Sequence, residues 1–228
     1  MAYLIVSNKK WNERICEKLA RSENGEFILI DKESELTGEH LKELQARYVF
    51  FVHWSHMIPP EIYDNYECVI FHMTDVPFGR GGSPLQNLIA RGIYETKISA
   101  LRCQAKLDAG PVYLKKPFSL YGSAEEIYMR ASQVVEEMIL YIIKNEPLPT
   151  DQNGEIIVFK RRKPEDGNIA DLSDIHQIFD YIRMLDAEGY PKAFIVCKGV
   201  RYEFSRAALY EGRIIADVKI TKLEDGTE

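Results

Sequence analysis

Four short apolar runs, Leu4-Ile5-Val6, residues 27–30, residues 48–52 and Cys68-Val69-Ile70-Phe71, punctuate the first third of the chain, with amphipathic stretches between them. Runs this short, rich in β-branched and aromatic residues, read as strands, and a strand that is apolar at every position has both faces covered. Trp11, Ile15, Cys16 and Leu19 recur at helical spacing after the first run, with Asn8 as the expected cap. Leu41, Leu44 and Ala46 mark a second helix. Strand–helix alternation of this kind predicts an α/β fold, a Rossmann-like and mostly parallel sheet with helices on both faces.

Further along, Ser83-Pro84-Leu85-Gln86 and Ser123-Ala124-Glu125-Glu126 both have the spacing of a capping box that opens a helix. The second of these begins a long helix with Ile127, Ala131, Val134, Val135, Met138 and Ile142 as its apolar stripe. Residues 97–104 and 111–115 read as a hairpin at the sheet edge, turning through Asp108-Ala109-Gly110. Glu146 to Gly154, with two prolines and a glycine among polar residues, reads as a linker. It divides a catalytic domain, 1–145, from a small C-terminal α+β domain, 155–228. The C-terminal part has a helix carrying Ile175, Ile178, Phe179, Ile182 and Leu185 and strands near 193–197, 201–204 and 213–220.

Composition excludes several classes. The 228 residues carry a net charge of −6, which argues against a nucleic-acid partner, and no apolar run is long enough to span a membrane. No basic region precedes Leu4, so no signal peptide is read. The four cysteines are widely separated, which suggests reduced thiols in a cytoplasmic protein, and neither they nor the histidines have metal-ligand spacing.

The segment most suggestive of chemistry runs from Phe71 to Pro84. It puts an imidazole, His72, where the fourth strand ends, facing a glycine-rich loop; ligand crevices in α/β sheets open at such carboxyl ends. On its own His72 is also readable as a satisfied core histidine, and Asp108 as a turn aspartate. Gly79-Arg80-Gly81-Gly82 reads either as a plain loop or as a helix-entry anion site, where Arg80, Gly81 and the other backbone N–H groups of the loop would hold a pyrophosphate. Ser7, Asn8, Lys9 and Trp11 follow the first strand on the same rim and are candidate substrate contacts, with Trp11 equally readable as the start of a helical stripe.

Taken in order, His72, Pro77, Arg80-Gly81, Pro84 and Leu107-Asp108-Ala109-Gly110 resemble the motif of the formyltransferase family that uses 10-formyltetrahydrofolate. The resemblance implies a catalytic His72 oriented by Asp108 and a folate pocket involving Trp54, Met57, Met73, Thr74 and Cys103. The family pattern has asparagine where this chain has Ile70. Asn87, a backbone N–H or the His72 ring would then supply the oxyanion donor, or activity is lost. The tail from Arg161 to Phe194 is similar to sugar N-formyltransferases. The expectation is therefore formylation of a nucleotide-linked amino deoxysugar, UDP- or dTDP-linked, for polysaccharide precursors, with no nucleic-acid or membrane partner. A homodimer is left open. The alternatives are formylation of another amine, on a ribonucleotide or an aminoacyl carrier, and a non-catalytic binding protein on the same fold.

Overall fold

The computed structural model describes residues 2–223. The chain divides into two compact units that are discontinuous in sequence: Met1–Gly81 with Thr96–Phe118 and Met129–Val158, and Gly82–Glu95 with Ser119–Tyr128 and Phe159–Glu228.

The first unit holds a six-stranded sheet in the order β2-β1-β3-β4-β6-β7. Its strands are β1 (Ala2–Val6), β2 (Glu26–Ile30), β3 (Ala46–Phe51), β4 (Glu67–His72), β6 (Glu95–Arg102) and β7 (Val112–Ser119). The first four are parallel to one another, and β6 runs antiparallel to β4 with His72 opposite Ser99. The mostly parallel α/β fold expected from the alternation is the one observed. On one face Leu4, Val6, Val49 and Phe51 pack with Leu41 and Ile62 from the short helices α2 (Gly38–Glu43) and α3 (Pro60–Tyr63). Ile5, Phe50 and Val69 are buried as well, which is why these strands read as continuous apolar runs. Each such side chain contributes about 1.5–3 kcal/mol on burial.

The second unit combines α4 (Pro84–Ile89), α6 (Ile175–Arg183) and an antiparallel sheet of β9 (Ala193–Cys197), β10 (Val200–Tyr210) and β11 (Arg213–Lys222) in the order β11-β10-β9. The helix α5 (Ala124–Asn145) begins in this unit and continues in the first. A two-stranded sheet pairs β5 (Phe78–Gly81) with β8 (Ile157–Phe159).

Of the two capping boxes only the second forms. Ser123 N–H donates to Glu126 Oε2 at 2.8 Å and Glu126 N–H donates back to Ser123 Oγ. Ser83 instead takes a left-handed conformation at the start of α4, and its hydroxyl accepts the N–H of Arg162. Gln86 is drawn away too, donating to the Tyr128 hydroxyl and the Met184 carbonyl. Asn8 caps nothing. A 3-10 turn at Lys10–Asn12 takes up the Trp11 segment, and α1 (Ile15–Ser22) starts only after Arg14.

Candidate active site

His72 ends β4 on the same strand face as Ile70. Its Nε2 donates to the Gly79 carbonyl at 2.8 Å, and its Nδ1 lies 3.5 Å from Oδ1 of Asp108. A carbonyl oxygen only accepts, so Nε2 carries a proton. Both ring nitrogens thus face oxygen atoms, Nε2 as a hydrogen-bond donor and Nδ1 toward the carboxylate. The pair is enclosed, with His72 8% and Asp108 7% exposed.

The loop between them is built by the backbone. Gly79 sits at φ +78, where glycine has no Cβ penalty, and this turns its carbonyl toward the imidazole. Thr74 Oγ1 donates to the same carbonyl. Burial alone would raise the Asp75 carboxyl, but hydrogen bonds from Lys115 and Lys97 outweigh it and hold the group below the usual carboxylate range. Lys115 also donates to the Val76 carbonyl, which pins the turn that follows His72.

Asp108 is held from several directions. Its Oδ2 accepts the Gly81 N–H at 2.9 Å, so the anion met by that amide is this chain's own carboxylate. Its backbone is left-handed, at φ +49, a region that aspartate tolerates better than most residues. Gly110 completes the turn because nothing larger fits: a Cβ there would lie 1.8 Å from the Arg102 carbonyl oxygen. That close approach is the physical content of the Leu-Asp-x-Gly spacing. Spacing gave no signal for Gln152, whose Nε2 donates to the carbonyls of Asp108 and Gly110 and whose Oε1 accepts from Arg80. The stretch read as a linker is thus bonded to the first unit, with Thr150 also bridged to Val112 through paired backbone hydrogen bonds.

The remaining candidates are dispersed. Arg80 is buried and its guanidinium is engaged by Gln152. Asn87 lies in the second unit, where both amide protons are spent on the carbonyls of Gly82 and Lys160. Met73 and Thr74 are buried, Met57 is exposed, and Trp54 is half-buried against the core. Burial lifts the Cys103 thiol to about 11, with the Asp108 charge adding to it. Ser7 is buried and accepts from Asn12 Nδ2, Asn8 is exposed near His56, and burial lowers Lys9. Asn12 also donates to Nδ1 of His53, whose ring is pushed down to about 4 by burial and then by Lys9. Among the described residues no group of three His, Cys, Asp or Glu could hold a metal, and no helix is long and apolar enough to cross a membrane.

Residues 164–221 match the family model described as the C-terminal domain of methionyl-tRNA formyltransferase. The methionyl-tRNA formyltransferase of Thermodesulfovibrio yellowstonii is 27% identical over 75% of this chain, and the chain spans 58% of that protein's length. A solved structure of a methionyl-tRNA formyltransferase from Clostridium thermocellum shares 48% identity, covers 97% of this chain and 99% of its own, and superposes with a TM-score of 0.94. A sugar N-formyltransferase from Shewanella shares 15% identity, with a TM-score of 0.68 over 99% of both chains, and shows the common fold alone.

These findings overturn the amino-sugar expectation and with it the nucleotide-sugar partner and the polysaccharide setting. The similarity of the Arg161–Phe194 tail to sugar enzymes reflected a shared fold, while the matched family model over the same region is that of the tRNA enzyme. The exclusion of nucleic acid loses its basis as well, because the similar proteins are methionyl-tRNA formyltransferases and net charge is a sum over the whole surface that says nothing of a local face. The cosubstrate expected from the motif, 10-formyltetrahydrofolate, is the donor that formyltransferases use. With nearly half its residues identical to the Clostridium thermocellum protein from end to end, this chain belongs to the formyltransferase family.

Proposed function

We propose that the chain transfers a formyl group from 10-formyltetrahydrofolate to the amino group of methionyl-tRNA. The observation that carries this reading is the 48% identity, over 97% of this chain, with a protein solved as a methionyl-tRNA formyltransferase. Bound 10-formyltetrahydrofolate supplies the formyl group. The described residues suit such a molecule: Trp54 keeps a buried Nε1–H with no acceptor among them, beside an aromatic face for a pterin. Met57, exposed on the same loop, and Cys103 are the further folate contacts in this reading.

Formyl transfer to an amine forms one carbon–nitrogen bond and breaks another. A proton leaves the attacking amine and one reaches the departing nitrogen, while negative charge develops on the formyl oxygen. His72 is the group for this work, taking the proton that leaves the amine and passing it to the departing nitrogen, with Nε2–H bonded to the Gly79 carbonyl and Asp108 facing Nδ1 before substrate enters. Where Ile70 replaces the family's asparagine, a backbone N–H remains the candidate oxyanion donor, because the ring nitrogens of His72 already face the Gly79 carbonyl and Asp108. Asn87, with both amide protons occupied, has a structural role in this reading. Ser7, Asn8, Lys9 and Trp11 remain the candidate contacts for the acceptor. The free cysteines fit a cytoplasmic setting, where such a substrate occurs.

The test is to incubate the protein with charged methionyl-tRNA and 10-formyltetrahydrofolate, release the amino acid and weigh it. Gain of one formyl group on methionine is expected, with a rate that falls as salt rises. A folded protein that leaves methionine unmodified would overturn the reading.

A further inference from the structure

Gln152 lies in a stretch whose prolines and glycine advertise only a connection, yet its side chain uses its full hydrogen-bonding capacity on the turn that carries Asp108. Nε2 donates to the Asp108 carbonyl at 2.9 Å and to the Gly110 carbonyl at 2.8 Å. Oε1 accepts from Arg80 Nε at 3.0 Å and from Arg80 Nη2 at 2.8 Å. The orientation of the amide is fixed by its partners, since carbonyls only accept and a guanidinium only donates. Two donors and two acceptor positions are all taken.

A fifth bond closes these four into a ring. Gln152 ties the backbone of Asp108 to the side chain of Arg80; the next residue, Gly81, returns to Oδ2 of Asp108 through its N–H. Inside this ring sits a non-glycine residue at φ +49, a conformation that persists only where the surroundings hold it. Arg80 and Gln152 are both far from Asp108 in sequence, so the turn does not hold itself. The other end of the same carboxylate stands 3.5 Å from the His72 ring.

We propose that Gln152 is a positioning residue: by clamping the Leu107–Gly110 turn it sets the distance and direction of the Asp108 carboxylate from His72. This rests on the reading of His72 and Asp108 as the reacting pair, and it adds a third side chain, from a segment outside the motif, on which their geometry depends. Two roles for Gln152 can be separated. If it served only to neutralise and seat Arg80, a carboxylate in its place would serve as well or better. If it works through its two N–H groups on the turn, the isosteric Gln152→Glu change puts oxygen against two carbonyl oxygens and releases the turn, while Arg80 keeps its acceptor.

The experiment reads the ring nitrogens of His72 by 15N NMR in the wild type, Gln152→Glu, Gln152→Ala and Asp108→Asn, each checked for folding by circular dichroism. Expected are displacements of the His72 Nδ1 resonance in both Gln152 variants, in the sense that Asp108→Asn displaces it. His72 resonances that stay at their wild-type positions in Gln152→Glu while Asp108→Asn moves them would overturn the proposal. Should both Gln152 variants fail to fold, Arg80→Lys, which loosens the far side of the clamp, carries the same comparison with the same two outcomes. In turnover, loss of the clamp should lower kcat for formyl transfer and leave KM for the folate unchanged. The ring spectra need no substrate, so a wild type inactive on methionyl-tRNA would strike at the reaction assigned above and leave the test of Gln152 intact.

Discussion

Asp108 and Asp180 are both buried carboxylates beside a basic side chain, and the two are held in opposite ways. Asp180 sits within α6, one turn from Arg183, on ordinary helical backbone. Its Oδ1 accepts from Arg183 Nε at 2.7 Å and its Oδ2 from the Tyr94 hydroxyl at 2.6 Å. Arg183 spends a further nitrogen on the carbonyls of Leu120 and Gly122 and lies over the rings of Tyr94 and Phe179. Asp108 sits on a left-handed turn, has one oxygen on a backbone amide, and meets its histidine only at 3.5 Å. Short, saturated contacts on relaxed backbone mark a structural ion pair. A longer contact held by strained backbone fits the reacting pair proposed above.

That contrast is open to direct attack. His72→Ala should lower formyl transfer by about 10²–10⁴-fold, the usual range for a lost acid–base group, with little change in melting temperature; a large loss of stability with near-normal turnover would invert the two roles. Asp180→Ala should do the reverse, costing about 3–5 kcal/mol in urea unfolding because it strands the buried Arg183 charge. If it instead abolished turnover in a protein of wild-type stability, the second network would belong to the chemistry. Gly110→Ala should touch both quantities. The added methyl forces the Arg102 carbonyl aside at a cost of about 1–3 kcal/mol or somewhat more, and it displaces Asp108, so melting temperature and turnover fall together.

The smallest effect concerns pH. The His53 ring titrates near 4 in the folded protein and near 6.5 unfolded. Below about 6.5 the unfolded chain therefore takes up a proton that the folded protein refuses until about 4, so stability from this source declines across that window and levels off beneath it. His53→Asn, which tolerates the φ of +53 at this position, should flatten that part of the profile in urea midpoints measured from pH 7 to 4. A variant curve that parallels the wild type would overturn the assignment to His53, since Asp75, held below the usual carboxylate range, gives up its contribution only at lower pH.

Much of this organisation is visible in the chain itself. The strands β1, β3 and β4 announce themselves as apolar runs because both of their faces are buried, and the capping box at Ser123 forms as spaced because both partners are local. His72 and Asp108 are found through a motif whose spacing reflects two backbone requirements, the reversed carbonyl of Gly79 and the close approach at Gly110. The failures have a common cause in contacts between residues distant along the chain. Ser83 has capping chemistry, but its hydroxyl is claimed by Arg162, and Gln86 by Tyr128 and Met184. Gln152 is invisible for the same reason: proline and glycine content reports the local backbone and says nothing of a side chain bonded to Arg80 and Asp108. The choice of acceptor failed differently, since a total charge of −6 is a sum over the whole surface and carries no information about a local face.

The bridge from Thr150 to Val112 has a consequence for the nascent protein. When the ribosome has released α5, every strand of the parallel sheet has left the exit tunnel, and so have His72 and Asp108, yet the strap that fastens their turn is still inside. If Gln152 clamps the turn as proposed, synthesis assembles the sheet around a candidate dyad that stays slack until one more short segment emerges. Truncation at Asn145, the natural place to cut on composition, would yield that same unfinished enzyme.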